Sequence, residues 1–357
     1  MVHKWVNELD SVVLVRALKG LGDFLCATPA LRSLRQVFPR AQITLVGIES
    51  TRSLVARYGH LIDELLPFPG FPGIPEEVLD VSRLPGFFAS AQARRFNLAV
   101  QMHGNGNLMN PFAVMLGAQR TAGYYPRGAY CPDPGLFLPF DEDEHEVRRW
   151  LRLATHLGAA SRAEQVEFPL RSPDWDALAR LPEAAALAKG TRVVIHPGAT
   201  EPARRWLPAH FAVVADHLAA NGHQVVLTGA ADEAPLVAEV ETRMNWPAIN
   251  LAGRTSLGAM AAMLTRARLL VTNDTGVSHL AAALRVPSVV VFLASNPKRW
   301  APLDRRLHRV VGGEGLRPDD VAPGQVLREA VYLLGIRRQM LEPAGQRAVD
   351  RPEVTGV

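Results

Sequence analysis

Apolar residues in this chain fall into short β-branched runs separated by longer stretches of helical spacing, and the rhythm restarts once near the middle. Runs of roughly four to eight such residues read as buried strands, and apolar positions three and four apart read as helices. In the first half the pattern predicts strands at 11–16, 43–46 and 97–101. Helices are predicted at 25–38, where Leu31, Leu34 and Phe38 share a face, at 109–116 and at 144–157. In the second half it predicts strands at 193–196, 224–227, 269–272 and 288–292, helices at 211–220, 234–244 and 257–267, and a last helix at 326–340. Strands alternating with helices favour parallel sheets covered on both faces, so the expected class is α/β.

Punctuation divides the chain. Residues 68–85 are dense in Pro and Gly and read as a long surface loop, and 124–143 reads as a second irregular stretch. Pro169, Pro173 and Pro182 fall before the strong strand at 193, which places a domain change within 168–190. The expected division is an N-terminal domain over 1–175, a C-terminal domain over 176–325, a helix over 326–341 able to pack back on the first half, and a flexible polar tail over 342–357. Two α/β halves of similar size make the cleft between them the default ligand site.

Composition narrows the class without naming a chemistry. At 357 residues, 48% hydrophobic and 21% charged, the chain can fill two cores. The formal net charge of +4 is spread along the sequence with no Lys/Arg block, so nucleic-acid binding is not expected. The basicity is compatible with anionic substrates or with peripheral contact at the inner face of the cytoplasmic membrane. Cys26 and Cys131 are the two cysteines, too few for a disulfide framework or a thiolate metal cluster, and a reducing cytoplasm is the expected home. Residues 1–10 lack a signal-peptide pattern, and no apolar run reaches the roughly 18 residues a spanning helix needs.

Candidate chemistry lies in the turns that follow strands. Leu269-Leu270-Val271 leads to Asn273-Asp274-Thr275-Gly276-Val277-Ser278-His279 and then to Leu280-Ala281-Ala282-Ala283. A buried strand that ends in a short polar turn and starts a helix aims unpaired N–H groups and a positive dipole end at one spot, which suits a phosphate. Asp274 is expected at the helix N-cap with Thr275 and Gly276 in the turn. His279, one helical turn later, reads either as a donor to a phosphate oxygen or as a packed core imidazole.

Three more turns share this logic. Lys19-Gly20-Leu21-Gly22-Asp23 is neither a Walker loop nor a full dinucleotide fingerprint; Asp23 there is either a helix cap or a general base. His196-Pro197-Gly198-Ala199-Thr200 continues to Arg204-Arg205-Trp206, so a hydroxyl and two planar cationic forks follow one strand. They suit a diphosphate, unless they are solvated arginines beside a packed Trp206. Thr228-Gly229-Ala230-Ala231-Asp232-Glu233 places a carboxylate that could accept from a ribose diol or merely cap its helix.

Taken in order, Gly22-Asp23 with Ala27-Thr28-Pro29-Ala30-Leu31, the 196–206 loop, Leu251-Ala252-Gly253-Arg254-Thr255-Ser256-Leu257, and 273–283 resemble glycosyltransferase family 9, the lipopolysaccharide heptosyltransferase family. The resemblance implies a GT-B architecture: two Rossmann-like domains facing across a cleft, with acceptor on the first and nucleotide-sugar on the second. It implies an inverting transfer with no metal and no cofactor, from ADP-heptose to a lipopolysaccharide core or related saccharide. Carried across, Asp23 matches the family's base. Thr200, Arg204, Arg205, Glu233, Thr255, Asp274, Thr275, Gly276 and His279 match donor-binding positions, Glu233 at the adenosine ribose.

The chain also departs from that pattern. The Gly loop is one residue longer, and Leu293-Ala294-Ser295-Asn296-Pro297 stands where a Gly-Pro-Thr turn is usual. Gln101-Met102-His103-Gly104-Asn105-Gly106-Asn107 is more polar than a simple strand exit, so His103 and Asn105, with Gly22, are expected on the acceptor side unless His103 is an ordinary loop residue. Two other readings stay open: transfer of a different nucleotide-activated sugar to another glycan or small metabolite, and a nucleotide-sugar-binding module without transfer.

Overall fold

In the computed structural model, which describes residues 9–187 and 191–341, the strands assemble into two six-stranded sheets, each parallel throughout. The first holds β1 (Ser11–Val15), β2 (Gln42–Gly47), β3 (Glu64–Pro67), β4 (Leu98–Gln101), β5 (Arg120–Tyr125) and β6 (Phe137–Pro139), in the order β3-β2-β1-β4-β5-β6. The second holds β7 (Arg192–His196), β8 (Gln224–Leu227), β9 (Ile249–Asn250), β10 (Ala267–Asn273), β11 (Ser288–Phe292) and β12 (His308–Gly312). Read from its other edge, its order is β9-β8-β7-β10-β11-β12, so the same winding occurs twice. The chain divides into two units, Met1–Pro169 and Leu170–Val357, one around each sheet.

A parallel strand covered on both faces has no solvent side, and its sequence should be continuously apolar rather than alternating. Val12, Val13, Leu14 and Val15 are all buried, as are Val193, Val194 and Ile195. Each central strand is held on both flanks: Val13 faces Thr44 of β2 and Ala99 of β4, and Val194 faces Val226 of β8 and Leu270 of β10. Winding proceeds outward in one direction from β1 to β3 and in the other from β4 to β6, so the crossovers leave a crevice at the C-terminal ends of β1 and β4. In the second unit the same crevice lies between β7 and β10.

The helix after β1, Leu21–Val37, starts four residues earlier than its apolar spacing indicates. Gly20 takes the extended N-cap position, and the first turn carries Gly22 and Asp23 where the apolar pattern has not yet begun. Pro29 lies inside this helix and cannot donate to the carbonyl of Leu25, one turn back. The Thr28 hydroxyl donates to that carbonyl instead, at 2.7 Å, so the interior proline leaves no orphan there. The helix then packs on Glu146–His156.

The structure differs from the sequence reading mainly at sheet edges. β3, β5, β6, β9 and β12 are short or polar-headed strands, and the 124–143 stretch taken as irregular contributes to β5 and contains β6. The helix Ser172–Ala179 packs on Leu257–Thr265 and so lies with the second unit, which begins at Leu170, six residues before the expected 176. The last helix, Pro323–Leu341, does not need the first half for a partner: Val326, Ala330, Leu333 and Leu334 join the second unit's core beside Trp206 and Val321. The tail read as flexible, 342–357, lies outside the described residues.

One glycine shows how tightly a loop is set against the first sheet. Gly106, after β4, has φ 87°, and a Cβ there would strike the Tyr124 carbonyl and the Asn110 amide that bonds it at 2.9 Å. Gly106→Ala is expected to cost about 2 kcal/mol through left-handed strain and the clash. In a thermal melt that is a fall of roughly 4–8 °C for the first unit, and an unchanged melting point would show the loop free to move aside.

Candidate active site

In the second unit the crevice is built around one buried amide. Asn273 ends β10, where a polar side chain on a core strand must find partners. Its Nδ2 donates to the Pro197 carbonyl at 2.7 Å, and its Oδ1 accepts from the Trp206 backbone N–H at 3.0 Å. Both ends of the loop after β7 are thereby tied to the exit of β10. Trp206 is fully buried and donates its indole N–H to the Val321 carbonyl at 2.9 Å, which anchors the loop from below.

Arg204 and Arg205 precede that anchor. Arg205 turns back to donate to the Ala199 carbonyl at 2.8 Å and so supports its own loop. Arg204 keeps 32% of its side chain exposed, 3.3 Å from Glu201 and 3.8 Å from the Asp274 carboxylate. Asp274 is only 3% exposed; its N–H donates to the Val291 carbonyl at 3.0 Å, and its carboxylate accepts from the Ser295 hydroxyl. Asp274 is therefore not the helix cap expected from the sequence. Thr275, extended at φ −153°, holds the N-cap of Gly276–Ala283, and Asp274 faces inward because its neighbours there are a hydroxyl and a guanidinium. Gly276 and Val277 open the helix half-buried, and their N–H groups have no carbonyl one turn back, as at every helix start. His279, 5% exposed, stands edge-on to Trp300 with ring centroids 6.4 Å apart.

A second cluster adjoins the first. Glu233 accepts from the Ala230 N–H at 2.8 Å, lies 3.7 Å from His196 Nε2, and rests on Gly198 so closely that a Cβ there would overlap its carboxyl group. Burial lowers the pKa of His196, opposed by the Glu233 charge, and its other nitrogen pairs with the Thr228 hydroxyl at 3.1 Å. Gly253 donates to the Gly229 carbonyl at 2.9 Å, which sets the Thr255 turn beside the Glu233 turn. Ser256, not Thr255, caps the next helix. Thr200 is exposed on the loop.

In the first unit the crevice is organised by a buried cation. Arg16, immediately after β1 and 5% exposed, donates to the carbonyls of Met102 and Asp23, each at 2.6 Å, and lies 4.9 Å over the Trp150 ring. Asp23 is half-buried at the third position of its helix rather than at the cap, and its carboxylate lies against Gly20, where a Cβ would collide. Gly22 is buried beside it. His103 is 7% exposed, with Nε2 3.6 Å from Glu76, while the Gln101 amide donates to the His103 carbonyl. Burial, helped by the Arg16 charge, pushes the His103 pKa down to about 4. Asn105 is half-buried and accepts from the Asn107 N–H at 3.0 Å, a local turn.

The structure thus gathers Arg204, Asp274, Thr275 and Gly276 in one crevice, with Glu233 and Thr255 on its flank. It gathers Gly22, Asp23 and His103 in the other. Asn273, Ser295 and Gln101 lie in segments already quoted from the sequence, but neither they nor Arg16 are singled out there, though a polar residue at the very end of an apolar run is a visible sign for Arg16, Gln101 and Asn273. Among the described residues no group of three or more His, Cys, Asp or Glu side chains could hold a metal ion, and no helix is long and apolar enough to cross a membrane.

Two doubly wound parallel sheets in one chain, each with its polar turns at the point where winding reverses, are the architecture of the GT-B glycosyltransferases. The sequence pattern of glycosyltransferase family 9 (heptosyltransferase) matches residues 107–324, and the chain belongs to that family and is a glycosyltransferase. It is 25% identical over 331 residues to lipopolysaccharide heptosyltransferase 2 of Escherichia coli K12, covering 87% of this chain and 92% of that one. Its fold is similar to the family 9 glycosyl transferase of Veillonella parvula, with a TM-score of 0.74, 21% identity and 93% and 98% of the two chains covered. It is also similar in fold to the ADP-heptose lps heptosyltransferase II of E. coli, with a TM-score of 0.71, 23% identity and 92% and 100% covered.

The depressed pKa of His103 carries a pH signature. As pH falls below about 6.5 the unfolded chain takes up a proton that the folded one refuses until about 4, so stability is lost across that window, by roughly 3 kcal/mol in total. Denaturant midpoints measured from pH 7 to pH 4.5 should fall less steeply for His103→Gln than for the parent. Parallel curves would mean that His103 titrates normally.

Proposed function

We propose that this enzyme moves a heptose from ADP-heptose to the growing core of a lipopolysaccharide or a related saccharide, in the cytoplasm, by a single inverting displacement that uses no metal. Support for the donor and acceptor comes from family membership and from the similarity to lipopolysaccharide heptosyltransferase 2 along nearly the whole of both chains. The observation that carries the donor site is Arg204 standing at the 274–276 turn, a part-exposed guanidinium beside a helix start.

Breaking the bond from the anomeric carbon to the diphosphate sends its electron pair to the β-phosphate oxygen, so one further negative charge grows on the departing ADP, and preorganised cations and N–H dipoles lower that barrier. Arg204 and the opening N–H groups of Gly276–Ala283 would take the diphosphate oxygens. Asp274, held by Ser295, would orient Arg204 rather than cap the helix. Glu233 and Thr255 would receive the nucleoside, with Glu233 exchanging His196 and the Ala230 N–H for the ribose diol. Arg205 and Asn273 keep the loop in place from behind, while Thr200 on the exposed loop and His279 on the buried side of its helix would add further donor contacts.

On the acceptor side Asp23 would accept the hydroxyl proton as the oxygen attacks the anomeric carbon. One displacement from the face opposite the leaving group inverts the centre, and the proton ends on the Asp23 carboxylate. Gly22, His103 and Asn105 would line the acceptor.

Two variants test the halves separately. Asp23→Asn should lower turnover by about a hundredfold or more while ADP affinity stays near the parent's; turnover at the parent rate rejects Asp23 as base. Arg204→Ala should weaken ADP binding by roughly tenfold to a hundredfold, the worth of a charge-assisted hydrogen bond, as read by calorimetry. A panel of nucleotide-sugars scored by melting point identifies the donor, and ADP-heptose is expected to stabilise most.

A further inference from the structure

We propose that Arg16 is a positioning residue for the transfer reaction, its guanidinium locking the Asp23 turn to the exit of β4 that carries His103. The inference rests on the reading of Asp23 as base.

Burying an arginine costs several kcal/mol unless its charge and its N–H groups are met inside. Arg16 directly follows four strand residues that are essentially inaccessible, and is itself 5% exposed. A guanidinium so placed commonly forks onto one carboxylate. Here its two arms diverge: Nη1 reaches the Met102 carbonyl and Nη2 the Asp23 carbonyl, each at 2.6 Å, while the Trp150 ring covers one face. The charge is balanced by Asp23 and Glu146 nearby, against repulsion from Arg149.

The two carbonyls are informative. One belongs to the proposed base itself, and the other to the residue before His103. They lie 79 positions apart in sequence (102 minus 23) and in different elements, a helix start and a strand exit. The register between β1 and β4 ends at Gln101, with one further bond from the Met102 N–H to the Val15 carbonyl at 2.9 Å, and on the helix side Gly22 is buried ahead of Phe24; neither contact joins the Asp23 turn to the exit of β4. Arg16 spans the remaining gap with a planar, rigid fork. Lysine would bring the charge but no fixed pair of diverging donors. A shift of about 1 Å in a reacting group can cost about a hundredfold in rate, so a residue that holds Asp23 at this precision acts on turnover more than on binding.

The test compares Arg16→Gln, Arg16→Lys and Asp23→Asn in the full-length enzyme with a donor and acceptor that the parent turns over. Circular dichroism and melting curves check folding, and ADP titration checks the second unit. For Arg16→Gln, kcat is expected to fall about a hundredfold, with acceptor KM and ADP affinity within about threefold of the parent. Arg16→Lys should recover part of that loss. A folded Arg16→Gln, or Arg16→Lys where Gln prevents folding, with kcat within about twofold of the parent overturns the proposal, as does a loss confined to KM. If Asp23→Asn turns over at the parent rate, the reading of Asp23 has failed. If Asp23→Asn is inactive while Arg16→Gln is fast, only the clamp has failed.

Discussion

The constraint on which this molecule depends is the reversal of winding beside β1 and again beside β7. Parallel strands must be joined by crossovers that cover the faces of a sheet, and those crossovers keep one hand. Where the chain winds outward on both sides of a central strand, the crossovers diverge and the C-terminal edge there is left to loops. Such an edge carries exposed strand carbonyls, helix-start N–H groups and whatever polar side chains the loops supply. In both units polar residues stand at that edge: Gln101, His196 and Asn273 end β4, β7 and β10, and Arg16 directly follows β1.

The two crevices solve the same mechanical problem with different chemistry. In the second unit a neutral amide, Asn273, ties the loop after β7 to the end of β10, beside Arg204 and the 274–276 turn. In the first unit a cation, Arg16, ties the start of a helix to the end of β4. A charge suits the first case because a carboxylate, Asp23, stands beside the tie. It would be misplaced in the second, where Asp274 already pairs with Ser295 and Arg204, and a further buried cation would repel the Arg204 guanidinium.

Glu233 and Asp274 show how a local pattern can name the right residues and misjudge their posture. Both were read as acids at helix starts, where capping is the common duty. Glu233 does bond its own turn at Ala230, but its carboxyl group also lies on Gly198 and near His196, so it belongs to the crevice as well. Asp274 points inward and leaves the cap to Thr275. In each case the deciding neighbour, Gly198 or Ser295, comes from another strand's loop.

The alternation of apolar runs with helical spacing was enough to establish an α/β chain in two halves, because strands covered on both faces must be uniformly apolar and their connectors must be amphipathic. The ordered motifs were enough to point to the family, since glycines, acids and arginines after strands carry their meaning in local spacing. The edge strands escaped because they have little core to face, and the start of the first helix escaped because Gly20 and Gly22 interrupt the apolar pattern. Strand order, the two-armed reach of Arg16, the Asn273 bridge and the inward turn of Asp274 were decided only by the tertiary structure. Each depends on a partner many residues away, and a hydrogen bond between distant segments leaves no period in the sequence.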